Sequence, residues 1–146
     1  MAREHAMNPG GAAPPRVLLV EDDPLVAFDH EHLLKESGYE VVATVDNLEA
    51  AREVIENEKL DLVLTDIRLN GEGDGTGVAR IARGQDVPVL FVTAFCEEDQ
   101  KGLALGCLAK PYSDRVLKGA LDALDLHLQG RKLKKLPPQL TLYEGT

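Results

Sequence analysis

Five short, largely apolar runs are distributed along this chain, and polar or glycine-containing sequence follows each of them. The runs cover residues 17–21, 40–44, 60–66, 87–93 and 106–109. Apolar runs of this length are typical of strands that are buried on both faces of a parallel sheet. The pattern therefore predicts five strands in the interior of the fold, the fifth of them very short.

Segments with the apolar spacing of helices lie between these runs. Asp23 is expected to cap a first helix that begins at Pro24, the position where proline is favoured. Further helices are predicted over residues 48–58 and 77–83, and Ser113 is expected to cap a last helix. The apolar face of the first helix is expected to comprise Leu25, Val26, Leu33 and Leu34.

Residues 94–105 show no helical stripe, so a helix between the fourth and fifth strands is expected to be short or absent. Strands that alternate with helices at this spacing indicate βαβ units and a parallel α/β sheet. Right-handed crossovers restrict the topology of such a sheet. Ligands bind at the carboxyl ends of its strands, near the point where the strand order reverses.

The length of 146 residues suits one folded domain, which we place at residues 16–129. Residues 1–15 are rich in glycine, proline and alanine and are expected to form a disordered leader. Residues 130–146 contain a basic cluster and two prolines and are expected to form a flexible basic tail. The glycine-rich loop at residues 71–77 lacks the sequence of a nucleotide-binding P-loop, so a flexible turn is favoured there.

The net charge of −9 argues against binding to nucleic acid by the folded body. No apolar run approaches the ~18 residues of a membrane span, and no secretory signal is visible, so a cytoplasmic location is expected. Cys96 and Cys107 are expected to be reduced thiols, with a redox pair across the loop before the fifth strand as the alternative. A metal shared by His30 and His32 is not expected, because their spacing places them on different faces of the first helix, and ordinary surface or partner contacts are favoured.

Polar residues stand where the predicted strands end. Glu21 and Asp22 follow the first strand, Asp66 ends the third, Thr93 ends the fourth and Lys110 follows the fifth. Clustered carboxylates repel one another unless a cation is bound, and their oxygens suit Mg²⁺. Asp66 could attack phosphorus, Lys110 could neutralise the developing charge, and the Thr93 hydroxyl could donate to a phosphoryl oxygen. The constellation predicts a phosphoryl-transfer site.

Four segments resemble a response-regulator receiver domain of bacterial two-component signalling. They are VLLVEDDP at 17–24, LDLVLTDIRL at 60–69, PVLFVTAF at 88–95 and LAKPY at 108–112. The resemblance extends over residues 16–129. It implies a flavodoxin-like (βα)5 fold, a doubly wound parallel sheet with strand order 2-1-3-4-5.

The resemblance also implies a role for each residue of the constellation. It makes Asp66 the phospho-acceptor, Thr93 the switch hydroxyl and Lys110 the lysine of the site. Mg²⁺ would be held by Glu21, Asp22, Asp66 and the backbone carbonyl of Arg68. A cis peptide is implied before Pro111.

The chain departs from the usual receiver pattern between the fourth and fifth strands. Only 16 residues separate Thr93 from Lys110, and Cys107 stands where an aromatic switch residue is usual. These features are similar to a subset of stand-alone alphaproteobacterial receivers that often work with HWE- or HisKA2-type histidine kinases. The apolar Phe95, two residues beyond Thr93, has no group to orient water, so slow self-dephosphorylation is a hypothesis.

The resulting interpretation is a single-domain response regulator, because little chain follows the last helix. A histidine kinase or phosphotransfer protein would phosphorylate Asp66, and the chain would then switch a protein-binding surface or act as a phosphate sink. The alternative is a receiver-like docking module that is not phosphorylated. An aspartyl phosphatase is disfavoured because Arg68 stands where those enzymes place a second aspartate, so we do not expect an enzyme in the usual sense.

Overall fold

The structure, a computed structural model, describes residues 14–69, 74–94, 96, 102–110, 112–130 and 136–143. It contains a six-stranded sheet of order β2-β1-β3-β4-β5-β6. In chain order the elements are β1 (Arg16–Val20), α1 (Pro24–Glu36), β2 (Glu40–Val45), α2 (Leu48–Asn57), β3 (Leu62–Asp66), α3 (Gly75–Gly84), β4 (Val89–Thr93), β5 (Gly106–Ala109), α4 (Asp114–Leu128) and β6 (Leu140–Leu142).

The first five strands are parallel and follow the order 2-1-3-4-5, so the predicted flavodoxin-like α/β fold is confirmed. Nearly every residue of β1, β3 and β4 is buried. Strands covered on both faces need apolar side chains at successive positions, which explains the uninterrupted apolar runs in the sequence. The outer strand β2 is only half-buried, in keeping with its place at the edge.

Helices cover both faces of the sheet and form two apolar clusters with it. The helices α1 and α4 cover one face, where buried residues include Leu34, Leu117, Leu121 and Leu124. The helices α2 and α3 cover the other face, where buried residues include Ala51, Ile55, Val78, Ala79 and Ala82. None of the helices in the described residues combines the length and apolar composition needed to cross a membrane.

The connection between β4 and β5 contains no helix in the part that the structure describes, which comprises residues 94, 96 and 102–105. The expectation of a shortened or absent fourth helix is therefore confirmed for these residues. Ala104 and Leu105 are buried, and the Leu105 amide donates to the Val89 carbonyl at 2.8 Å. The hypothesis about Phe95, the cis peptide before Pro111 and the leader up to residue 13 lie outside the described residues.

The end of the chain differs from the flexible tail expected at residues 130–146. Residues Leu140–Leu142 form β6, which pairs antiparallel with β5, so the expectation is wrong for this segment. Leu140 and Tyr143 are buried, and β6 covers an edge of β5 that would otherwise expose its backbone groups. A Cβ atom on Gly106 would lie 2.7 Å from the Thr141 carbonyl oxygen, so the close approach of β6 requires glycine there.

The buried face of α1 also differs from the expected one. The buried residues are Ala27, His30 and Leu34, whereas Leu25 is 78% exposed. Positions three and four residues apart share a face of a helix, so these three residues form one stripe towards the sheet. Leu25 lies off that stripe, and its assignment to the apolar face is wrong.

Candidate functional site

The strand register brings the predicted polar residues to one edge of the sheet. Parallel strands end on the same side, and the pairing aligns Asp66 with Val92 and Thr93 with Ala109. Glu21 directly follows β1, and Lys110 directly follows β5. The structure therefore places the predicted site at the carboxyl ends of the central strands, where α/β folds bind ligands.

Lys110 forms ion pairs with two of the carboxylates. Its Nζ atom donates to Asp66 Oδ2 at 2.9 Å and lies 3.6 Å from Glu21 Oε1. Partial burial of Lys110 disfavours its charge, but the hydrogen bond that Lys110 donates to Asp66 and the charges of Asp66 and Glu21 outweigh that effect and raise its pKa. Lys110 is thus held as a cation directly beside Asp66.

Glu21 is a carboxylate in a mostly dry environment, with only 4% of its surface exposed. Burial raises its pKa, the effect being opposed by a hydrogen bond from the Asp23 amide at 3.1 Å and by the charge of Lys110. The nearby charges of Asp66 and Asp22 raise the pKa further. A buried carboxylate among like charges is stabilised by any additional cation that reaches it.

The carboxylates of Glu21, Asp22 and Asp66 are close enough to share such a cation. One oxygen atom from each lies within 4.8 Å of the others. Hard oxygen ligands of this kind suit Mg²⁺, which usually keeps several waters and takes one or two carboxylates from the protein. The donor set therefore fits Mg²⁺. The Arg68 amide donates to Asp66 Oδ1 at 3.3 Å, which keeps that residue beside the cluster, while the role of its carbonyl stays a prediction.

The backbone around Asp66 is held by α3. The Gly75 amide donates to the Ile67 carbonyl at 2.7 Å, and Asp74 caps the helix by accepting from the Thr76 and Gly77 amides. The helix therefore begins two residues earlier than predicted. A Cβ atom on Gly75 would lie 2.7 Å from Ile67 Cα and still closer to the Asp66 carbonyl, so only glycine permits this approach.

Thr93 lies beside the lysine through its backbone. Its carbonyl accepts a hydrogen bond of 2.7 Å from the Lys110 amide, and its side chain is half-buried at the end of β4. The structure brings Thr93 to the same edge as the acidic cluster, and the action of its hydroxyl on a phosphoryl group stays a prediction.

A histidine–tyrosine pair adjoins the site and is not part of the predicted constellation. The Tyr112 hydroxyl and His30 Nε2 are 2.8 Å apart, and the two rings stack with centroids 5.7 Å apart. His30 is 7% exposed, so the expectation of a surface residue is wrong. Burial lowers the pKa of His30, and the charge of Lys110 lowers it further. Its position in the stripe with Ala27 and Leu34 is the sequence signal that indicates burial.

Cys96 and Cys107 are joined by a disulfide, so the expectation of two reduced thiols is wrong for this structure. The alternative of a redox pair across the loop before β5 agrees with the observed bond. Cys107 is fully buried among the side chains on the α2 and α3 face of the sheet. The position where an aromatic switch residue is usual is therefore occupied by half of a cross-link.

Comparison with known proteins agrees with the fold. The family model of the response regulator receiver domain matches residues 17–122. The transcriptional regulatory protein PdtaR of Mycobacterium tuberculosis is 33% identical over 107 residues, which cover 70% of this chain and 52% of that protein. The alkaline phosphatase synthesis transcriptional regulatory protein PhoP of Bacillus subtilis is 34% identical over 116 residues, covering 75% of this chain and 48% of that protein. The chain thus spans about half the length of these curated relatives.

Solved structures show the same architecture. The receiver domain of the PhyR response regulator from Erythrobacter litoralis has a TM-score of 0.70 at 27% identity, covering 84% of this chain and 98% of that one. The receiver domain of a sensor histidine kinase from Pseudomonas aeruginosa, solved with magnesium in its active-site cleft, has a TM-score of 0.66 at 28% identity, covering 81% and 99%. With the matching family model and the observed sheet order, these likenesses show that the chain belongs to the response regulator receiver domain family of two-component signalling proteins.

Proposed function

We propose that this chain accepts a phosphoryl group on the Asp66 carboxylate and relays that event as a signal. The observation that carries the proposal is the Lys110 ammonium, 2.9 Å from Asp66 and 3.6 Å from buried Glu21, at the carboxyl edge of the sheet. A carboxylate oxygen of Asp66 would attack phosphorus as the bond to the donor breaks, giving an acyl phosphate. With a phosphohistidine donor, the P–N bond breaks and the imidazole leaves.

In this proposal Lys110 neutralises negative charge directly, and the acidic cluster does so through a bound metal ion. Phosphoryl transfer needs charge neutralisation and positioning more than it needs covalent chemistry from the protein. Lys110 would move from the Asp66 carboxylate to an oxygen of the new phosphoryl group. Glu21, Asp22, Asp66 and the Arg68 carbonyl would hold Mg²⁺. When bound, this ion would supply further positive charge to the phosphoryl oxygens.

Thr93 is proposed to sense the product. The Thr93 carbonyl is bonded to the Lys110 amide, so the hydroxyl-bearing residue and the lysine are linked where β4 and β5 end. A hydroxyl that donates to a phosphoryl oxygen would favour one arrangement of the following segment over another. A change in that segment would then alter a surface that binds a downstream protein, or the chain would drain phosphate from its kinase.

The proposed donor is a histidine kinase or a phosphotransfer protein that docks on α1. Leu25 and Phe28 in the first turns of α1 are 78% and 69% exposed, which is unusual for large apolar side chains. They lie one turn apart on the helix whose cap, Asp23, follows Glu21 and Asp22 directly. An apolar surface that continues from the acidic site suits a helical partner that must bring its phosphohistidine to Asp66.

A double variant, Leu25→Ser with Phe28→Ser, tests this docking surface. We expect phosphoryl transfer from a cognate phosphorylated kinase to slow at least tenfold, while labelling by acetyl phosphate is unchanged. Leu128→Ser is the matched control, because Leu128 is also exposed, at 44%, but lines a cavity with Pro88 and Val89 at the start of β4, the end opposite Thr93. Equal slowing by the control, or unchanged transfer in the double variant, would place the donor elsewhere.

The proposed metal is tested by the thermal stability of the protein with and without Mg²⁺. Binding to the folded state alone stabilises a protein in proportion to the logarithm of ligand concentration. We expect Mg²⁺ to raise the melting temperature of the wild type and to have little effect on Asp22→Asn. Magnesium stabilisation that survives this substitution would contradict the assignment.

We propose a cytoplasmic site of action, because phosphoryl donors made from ATP arise there, and cell fractionation with an antibody checks it.

A further inference from the structure

The Cys96–Cys107 disulfide links the segment after β4 to the middle of β5. The two cysteines are 11 residues apart in sequence, and their Cα atoms are 5.9 Å apart. Cys107 pairs with Phe91 of β4 on one side and with Thr141 of β6 on the other, so its backbone is held by two neighbouring strands. The chain contains two cysteines in all, so no third thiol can compete for either partner.

The two sulfur atoms differ in their access to solvent. Cys107 is 0% exposed, within the cluster that contains Phe91, Ala104 and Tyr143. Cys96 is only half-buried and lies at the margin of the same cluster. Thiol–disulfide exchange requires a thiolate to reach a sulfur atom, so access decides which sulfur is attacked. Only Cys96 offers an approach without opening the core.

We propose that Cys96 and Cys107 form a reversible redox modification site in which Cys96 exchanges with outside thiols and Cys107 is the buried partner. In reduction, a small-molecule thiolate attacks Cys96 Sγ, the Cys96–Cys107 bond breaks, and Cys107 leaves as a thiolate that takes a proton. A second small thiol then releases Cys96 as a thiol and departs as a small-molecule disulfide. The reverse reaction oxidises both protein thiols and reduces one small-molecule disulfide to two thiols.

The bond restrains the connection that follows Thr93 and leads into the strand before Lys110. The same two strands are already joined by the hydrogen bond from the Lys110 amide to the Thr93 carbonyl. Closing a loop of this length in the unfolded chain stabilises the folded state, so reduction should lower the melting temperature by about 10 °C. A site of this kind would make the link between residue 96 and β5 depend on the thiol balance of its surroundings.

The test is equilibration of the folded full-length chain in buffers of reduced and oxidised glutathione, followed by acid quench, alkylation and mass spectrometry. We expect a sigmoidal change between the dithiol and the disulfide in both directions without denaturant. After reduction, a substoichiometric alkylating reagent should label Cys96 at least tenfold faster than Cys107 in the wild-type protein. A folded protein that stays dithiol in excess oxidised glutathione would overturn the proposal.

Two single variants test the assigned order of attack. In Cys107→Ser, oxidised glutathione should leave a lasting mixed disulfide on Cys96, because the partner that would displace it is gone. In Cys96→Ser, the buried Cys107 should stay unmodified until denaturant is added. Equal modification of the two variants, with both shown to be folded by circular dichroism, would refute the order. All of these readouts are independent of phosphorylation, so their failure and that of the proposed function are distinguishable.

Discussion

Replacing Lys110 with methionine removes an ammonium that forms ion pairs with two carboxylates, and it keeps a side chain of similar length. In the wild type, Nζ lies 2.9 Å from Asp66 and 3.6 Å from Glu21, whose side chains are 12% and 2% exposed. A hydrogen bond to a charged group contributes about 1.5–3 kcal/mol. The Lys110 side chain is itself 31% exposed, so solvent screening reduces the second interaction, and we expect a loss of about 2 kcal/mol in unfolding free energy.

A matched control distinguishes the contribution of burial to stability from that of an ion pair alone. Lys35 in α1 lies 2.9 Å from Glu31, the same distance as in the Lys110–Asp66 pair, but those side chains are 58% and 34% exposed. Exposed pairs four residues apart on a helix contribute about 0.3–0.5 kcal/mol. Lys35→Met should therefore cost several times less than Lys110→Met, although the chemistry and distance are alike.

The assay is urea unfolding at neutral pH with a chelator present, so that no metal substitutes for the lysine. With a slope of about 2 kcal/mol per molar, the midpoint should fall by about 1 M for Lys110→Met and by about 0.2 M for Lys35→Met. The pKa of Glu21 is raised in the folded state, so the folded protein binds its proton more readily than the unfolded chain. The loss of stability in Lys110→Met relative to the wild type should therefore recover in part as the pH falls from 7 to 5, because the variant lacks the lysine charge that lowers the Glu21 pKa. Equal losses in the two variants, or no recovery at pH 5, would refute this account of the site.

Three other predictions follow from contacts near the site. Gly75→Ala should cost about 1–3 kcal/mol, because its Cβ would meet the backbone of Ile67, whereas Gly84→Ala has open space and should stabilise the chain by up to about 1 kcal/mol; thermal unfolding of both checks this. The pKa of His30 is lowered in the folded state, so its contribution to stability is full above the unfolded pKa of about 6.5 and is lost as the pH falls below it. His30→Gln should remove this fall in unfolding free energy at low pH, which is at most about 1.4 kcal/mol per pH unit. If the unfolding free energy of the variant depended on pH as that of the wild type does, the assignment to His30 would be wrong. If the proposed phosphorylation occurs, the reduced protein should lose its phosphate faster than the disulfide form, because residue 96 is then no longer tied to β5. Equal rates of phosphate loss would show that the disulfide does not affect the phosphorylation site.

The part of the fold that the sequence predicts is the part set by local pattern and parallel topology. Runs such as residues 60–66 are apolar because both faces of the strand are covered, so their positions indicate a parallel sheet. Once the strands are parallel, the residues that end them must meet at one edge. This is why Asp66 and Lys110, 44 residues apart, could be predicted to lie together.

The features that escaped prediction depend on contacts distant in sequence. Residues Leu140–Leu142 follow two prolines and form a strand only because β5 offers an open edge. The disulfide is only the alternative in the sequence analysis, because it depends on the path of the connection after β4, which no local pattern specifies. The buried face of α1 is a different case. The spacing of Ala27, His30 and Leu34 in the sequence already indicates this face, but the apolar character of Leu25 favours a different face.

The most direct test of the central claim is the mass of the intact protein after incubation with acetyl phosphate and Mg²⁺, beside Asp66→Asn. The account predicts one phosphate adduct on the wild type that disappears with a chelator, and no adduct on the variant. Peptide mapping after reduction of the acyl phosphate with borohydride should place the modification on Asp66. An adduct that persists in Asp66→Asn would contradict the assignment of the acceptor. If the wild type acquired no adduct from acetyl phosphate and none from a panel of phosphorylated histidine kinases, phosphoryl acceptance would be refuted and a docking module favoured.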